Sequence, residues 1–430
     1  MFRITERNFF FAEISMTRFS ILICLVAVLL SCKAKQGPVT QKPAQEVKKP
    51  AQQTTKKDTV ITKPQQKTGS YNFMLFLPVD LAAAFETDSI SPDSIVSTGN
   101  FNEELTDAIN FYEGALLAAD SLRRAGHDVK LKVVDLPPIE DRQTTKIWVQ
   151  KYENVNLVFA MVKGKPLKTL NDILSVRKIP LISCEANTYS VVEKNPYAVC
   201  AQPSSLTQCK MMGTFAGKKF KTDNFIILTS NTDKEKERSS AFISGFQDTM
   251  MAGRFRKINY PAEGAEGLGK ALSSSYTNTI FIPSTDEDFV TSIYSQLETY
   301  QGLYRFRIIG LPVWQYFETI DMRLLEKYNT IFFAPEYYSY DEKDVLHFRT
   351  KFRQQFSSEP SDEAYLGYDA FLQFGNLFIN QQLPFAAPEI NLKGLRSAYY
   401  FQHADAAAAE NKYINVVKIE NFRYIKLNEN

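Results

Sequence analysis

Phe73-Met74-Leu75-Phe76-Leu77-Pro78 is a short apolar run near the start of the unit from Tyr71 to Asp135. A polar loop follows, and then Phe101-Asn102-Glu103-Glu104-Leu105. From Leu105, apolar residues recur at Ile109, Tyr112, Leu116, Ala119 and Leu122. Steps of three and four put them on one face of a helix. Asn102 with two acids behind it suits the helix start, and Gly126 suits its end. Val129, Leu131 and Val133 then alternate with Lys130 and Lys132 up to Asp135, a strand pattern. Strand, helix and strand in that order make a βαβ crossover, which requires a parallel sheet. The loop from Val79 to Asn100 lacks Gly-x-Gly and is far too long for a phosphate-binding turn. The unit therefore predicts a scaffold rather than a nucleotide site.

The αβ alternation continues outward from it. Helices are expected over 141–152, 166–176, 234–250, 286–300, 341–356 and 362–379, and near 269–275, with Ser204 or Ser205 capping another. Strands are expected at 157–160, 179–183, 197–200, 224–229, 255–260, 279–283, 307–311 and 331–334. The chain closes on a hairpin, 413–419 and 422–427, turning at Glu420-Asn421. Two alternating sets predict an α/β protein of two lobes, with a crevice at the C-terminal ends of parallel strands.

The 430 residues suffice for two cores, and a formal net charge of +2 offers no argument for nucleic acid. Much of the positive excess lies in the Lys, Gln, Pro and Thr tract of residues 33–70, which has too little apolar surface to fold. It reads as a flexible tether of about 35 Å average span. Ahead of it, Arg18 precedes an apolar run from Phe19 to Leu30, short for a membrane span and suited to a signal peptide. Leu29-Leu30-Ser31-Cys32 resembles the bacterial lipobox, which implies a lipid on Cys32 and a membrane-held protein, and Lys33 favours the outer membrane. Of the cysteines beyond it, Cys184 and Cys200 end predicted strands and are candidates for a disulfide, leaving Cys209 free.

Several motifs share an order and a spacing. The first strand ends in Leu77-Pro78, and the helix carries Tyr112-Glu113-Gly114-Ala115-Leu116-Leu117-Ala118-Ala119-Asp120. The next strand ends in Asp135, Ile179-Pro180-Leu181-Ile182-Ser183 leads into a loop, and Gly367-Tyr368-Asp369-Ala370 lies on a late helix. Together they resemble the type 1 periplasmic binding proteins of the branched-chain amino acid receptor kind, over roughly 71–428. The resemblance implies two Rossmann-like lobes with parallel sheets joined by a three-crossing hinge. It places the signal peptide at 1–31, the lipidated Cys and tether at 32–70, one lobe at 71–203 plus 336–382, and the other at 204–335 plus 383–430.

It also implies where a ligand sits: the loop holding Lys163, Gly164 and Lys165, the loop holding Glu185, Asn187 and Thr188, and Ser284 and Thr285 in the second lobe. The first loop has no hydroxyl, but its N–H groups stand at a helix start that welcomes an anion. The acid that would hold an ammonium group after Ile308-Ile309-Gly310 is replaced by Leu311-Pro312-Val313-Trp314. Trp314 and Tyr337, in the cluster Tyr337-Tyr338-Ser339-Tyr340, are read either as packing or as a cleft wall. The expected ligand is a small molecule, amino acid-like or other, passed to an inner-membrane permease or reported to a sensor. The alternative is a non-transporting outer-membrane lipoprotein that regulates a peptidoglycan synthase, since such lipoproteins are similar to this fold.

Enzyme signatures are missing. Gly264 to Lys270 approaches a P-loop, but Ala271 stands where a hydroxyl must meet magnesium, so no nucleotide cofactor is expected. His127, His347 and His403 have no metal spacing, and neither Gly-x-Ser-x-Gly nor His-Glu-x-x-His occurs.

Overall fold

A computed structural model describes residues 69–79, 103–136, 154–247, 255–334, 336–383, 389–402 and 406–428. The expected signal peptide, Cys32, tether, 141–152 helix and His403 lie outside the described residues.

The first lobe opens with β1 (Ser70–Leu77), α1 (Glu103–Arg124), β2 (Asp128–Asp135), β3 (Leu157–Ala160), α2 (Gly164–Arg177), β4 (Leu181–Ser183), the short α3 (Tyr189–Val192) and β5 (Ala198–Cys200). The chain then supplies α4 (Ser205–Lys219), β6 (Asn224–Thr229), α5 (Asp233–Gln247), β7 (Phe255–Asn259), α6 (Tyr260–Ala271), β8 (Asn278–Phe281), α7 (Glu287–Glu298), β9 (Phe306–Gly310), a 3-10 turn at Pro312–Tyr316, α8 (Met322–Lys327) and β10 (Ile331–Ala334). Last come α9 (Lys343–Phe356), α10 (Asp362–Ile379), β11 (Glu389–Lys393), β12 (Ala398–Gln402), β13 (Ala409–Glu410), β14 (Asn415–Glu420) and β15 (Arg423–Lys426).

One sheet runs β13-β5-β4-β3-β1-β2, with every pairing parallel. The other runs β15-β14-β10-β9-β8-β6-β7, antiparallel only where β14 joins β10 and β15. Within each, the first strand of the set lies between the second and third, so the order reverses there. That doubly wound arrangement places a crevice at the C-terminal strand ends.

Alternation along the strands of the first sheet separates two cores. Phe73, Leu75, Phe159 and Ile182 face α1 and α10, while Met74, Phe76, Val158 and Leu181 face α2. Cys184 belongs to the first face and Cys200 to the second, so the expected disulfide is corrected: both thiols are free and buried. Burial pushes the Cys200 thiol up to about 12.

The α1 stripe is also rotated from its sequence reading. Ala108, Phe111, Ala115, Ala118 and Leu122 are buried, whereas Ile109 is exposed. The side chains chosen by closeness are small ones. A Cβ on Gly114 would stand 1.9 Å from the Ala364 carbonyl oxygen, and one on Gly367 would stand 2.1 Å from that of Phe111. The second lobe repeats the device, since a Cβ on Gly213 would stand 2.0 Å from the Phe242 oxygen.

The helix expected near 269–275 instead occupies 260–271, started by Pro261 at its first turn and kinked at Gly264. The terminal hairpin turns at Asn421-Phe422, both at positive φ, one residue later than expected. Part of the segment 383–430 expected in the second lobe lies elsewhere: Leu383, Ile390, Tyr399, Phe401 and Ala409 pack into the first-lobe core.

The chain passes between sheets after β5, after β10 and after β13. Glu410 binds the first passage to the third, accepting from Ser204 N at 2.6 Å and from the Thr207 hydroxyl at 2.6 Å. The second is tied by Arg396, whose guanidinium meets Glu336 at 3.0 Å and whose carbonyl accepts from Tyr337 N at 2.9 Å.

Candidate functional site

The strand ends of the first sheet open into a cavity of about 480 Å³. Pro78 follows β1, Met161 and Lys163 follow β3, and Cys184 and Glu185 follow β4, so its floor is the point where the strand order reverses. Two helix starts complete the wall: α1 brings Glu103, Glu104 and Asp107, and α10 brings Glu363. Acids are common in first helical turns because the helix dipole favours them there. Here two such turns and the β4 loop aim at one space.

The outcome is five carboxylates against a single lysine, Lys163. Burial raises Glu185 despite Lys163 beside it, with Glu104 and Asp107 adding repulsion. Burial also raises Asp107, reinforced by Glu103 and Glu104. Glu363 is pushed up to about 7, chiefly by burial, with Arg396 opposing and Asp107, Glu185 and Glu336 adding to the rise. Asp107, Glu185 and Glu363 thus sense one another at a partly buried wall, with Glu103 and Glu104 exposed at its edge. Five carboxylates against one lysine argue against the anionic ligand expected at the Lys163–Lys165 loop. Gln202 steadies the wall by donating to the Cys184 carbonyl at 2.6 Å.

Of the ten candidate contacts read from the sequence, Lys163 and Glu185 line the cavity. Lys163 is the N-cap residue of α2, with Gly164 at φ 65 behind it and Lys165 exposed. Thr188 is turned inward: its hydroxyl donates to the Glu185 carbonyl at 3.0 Å and accepts from Ser183 at 2.8 Å. Asn187, at φ 58, accepts from Ser205 N at 2.7 Å and so holds the passage into α4. Ser284 is buried and accepts from Asp286 N at 3.2 Å, and Thr285 is exposed beside it.

Trp314 is no cleft wall. It is 1% exposed, packs over Gly310, and donates from Nε1 to the Ser284 carbonyl at 2.8 Å. Tyr337 belongs to the passage after β10, with its hydroxyl donating to the Tyr424 carbonyl at 3.3 Å. Sequence reasoning missed Glu103, Glu104, Asp107 and Glu363, and their only local signal was the ordinary one of helix starts. Among the described residues no three His, Cys, Asp or Glu side chains are arranged to hold a metal ion.

No protein-family model matches the chain, and no curated protein matches it. Solved structures do. An ABC transporter substrate-binding protein from Desulfitobacterium hafniense, in complex with Leu, is 13% identical with a TM-score of 0.52, covering 84% of this chain and 100% of its own. A putative branched-chain amino acid ABC transporter from Rhodospirillum rubrum is 11% identical with a TM-score of 0.58, covering 83% and 100%. The C-domain of LpoA from Haemophilus influenzae, a regulator of PBP1A, is 11% identical with a TM-score of 0.54, covering 83% and 99%. The fold is that of the type 1 periplasmic binding proteins.

Proposed function

We propose that this chain is an extracytoplasmic solute-binding protein that captures a small cationic solute, such as an amine, at the acid-lined cavity of its first lobe. The convergence of five carboxylates on one cavity carries this reading. Carboxylates kept together and partly desolvated repel one another, and a bound cation relieves both costs at once. The second lobe closes over the ligand and excludes water, as hinged two-lobe binders do. A lipid on Cys32 and the tether behind it hold the protein to a membrane, the outer one by the Lys33 reading. The receiving partner is an inner-membrane permease or a sensor, and no catalytic step is assigned.

The test is a thermal-shift panel of polyamines, basic amino acids, quaternary amines, neutral amino acids and dicarboxylates. A cation at about a hundred times its dissociation constant stabilises by roughly 2.7 kcal/mol. The double variant Glu185→Gln/Glu363→Gln should lose that shift. A shift confined to anions, or none across the panel, would refute the reading.

A second reading is a regulator of a cell-envelope enzyme such as a peptidoglycan synthase. Two observations favour it: the hydroxyl and amide groups at the expected ligand loops are spent on internal bonds, and the LpoA domain shares this fold. A silent ligand panel, together with crosslinking to a synthase in envelope extracts, would select it. Labelling cells with a fatty acid tests the anchor, since Cys32→Ser should abolish incorporation.

A further inference from the structure

A second cavity, of about 210 Å³, lies between α9, the later turns of α1, the middle of α10 and the β11–β12 turn. Its floor is apolar, built from Leu117, Phe348, Leu372 and Leu395. On α1, Asp107 lines the acidic cavity and Leu117 lines this one, about 15 Å further along the helix axis, so the two are separate sites. An apolar cavity of about 150 Å³ accepts benzene, so this one has room for a single substituted ring.

The rim supplies the polar half of the recognition. His347 and Lys351 are four residues apart on α9, which puts them side by side on one face, with Cβ atoms about 5–6 Å apart. Neither has an ion-pair or hydrogen-bond partner among the described residues. On the opposite rim Lys393 is already paired with Glu342 at 3.4 Å. The other acids of the lining are Asp344, three residues before His347, and the buried Asp369, which accepts from Leu395 N and Arg396 N; they disfavour a second negative charge on a ligand.

We infer that this cavity binds a small aromatic monocarboxylate, with its ring on Leu117, Phe348 and Leu372 and its carboxylate bridged between His347 and Lys351. The inference does not depend on what the acidic cavity holds. Nitrogen donors on one helix face match the two oxygens of a carboxylate, and the apolar floor beneath them rewards a ring over a purely polar anion.

Methyl-labelled full-length protein titrated with phenylacetate tests it. Saturable shifts are expected at the methyls of Leu117, Leu372 and Leu395, with the Met161 methyl in the acidic cavity unmoved. Phenethylammonium, the same ring with the opposite charge, should bind at least about tenfold more weakly. Lys351→Gln, a change on a half-buried rim residue, should weaken phenylacetate about fivefold or more. Leu372→Trp, which fills the floor, should abolish binding. Absence of saturable shifts up to about 10 mM phenylacetate overturns the proposal. So do equal affinity for phenethylammonium, shifts confined to Met161, and full affinity in Lys351→Gln.

Discussion

Asp369 shows how a single carboxylate can fasten a passage of chain. It is fully buried on α10 and accepts from Leu395 N and Arg396 N, each at 2.7 Å, holding the turn that carries Arg396 to Glu336. Burial outweighs those donors and pushes it up to about 7. Asp369→Asn replaces an acceptor with an N–H facing backbone donors, and should cost about 1–3 kcal/mol in urea denaturation. Glu363 makes a pH-dependent prediction. Its folded value of about 7 lies above the ordinary glutamate value of 4.5, so the native state holds the proton longer. Its contribution is complete below the unfolded value and is lost as pH rises through about 7. Denaturation at pH 5 and pH 8 should show stability falling across that window, with a shallower fall in Glu363→Gln. The acidic cavity was not legible in the sequence, because Asp107, Glu185 and Glu363 are far apart in the chain and meet only through topology. Hydroxyls at the loops were legible as positions, but Thr188 and Ser284 turn inward to satisfy neighbouring backbone.

Helices and strands were legible because period and punctuation agree. β3, β6, β10 and α10 end where apolar runs, caps and turns say they should. What a period cannot fix is which of two adjacent stripes is buried. On α1 the large residues suggested one stripe, yet contact with α10 selects the glycine and alanine stripe, because closeness matters more than bulk there. Gly367→Ala should therefore cost about 1–3 kcal/mol or more, since the clash is with backbone and cannot be relieved by a rotamer change. Gly213→Ala should do the same in the second lobe, and circular dichroism melts would check both. The β11–β12 hairpin escaped the sequence reading, its strands being half-exposed and joined by a turn held from outside by Asp369.

For the whole molecule, alternation made two doubly wound lobes legible, but not where each ends. The two-residue β13 is too short to announce itself, yet it returns the chain to the first sheet before the last passage. A chain ending at residue 334 lacks α9, α10 and β13, and leaves Phe73 and Phe159 without Phe371, which stacks on Phe159 at 4.6 Å. Such a fragment should melt without cooperativity and bind a hydrophobic dye, whereas the complete chain should not.

That stacking also sets a schedule. Phe371 follows Phe73 in the chain by 298 positions, the difference of their numbers. At roughly 5–20 residues per second, a ribosome needs about 15–60 s to make that interval. Throughout it the apolar face of β1 waits for a helix not yet synthesised, while α4 to β10 of the second lobe are made ahead of that helix. The first lobe is started first yet receives α10 only after α4 to β10 have been made, and a chaperone has most to protect in that interval.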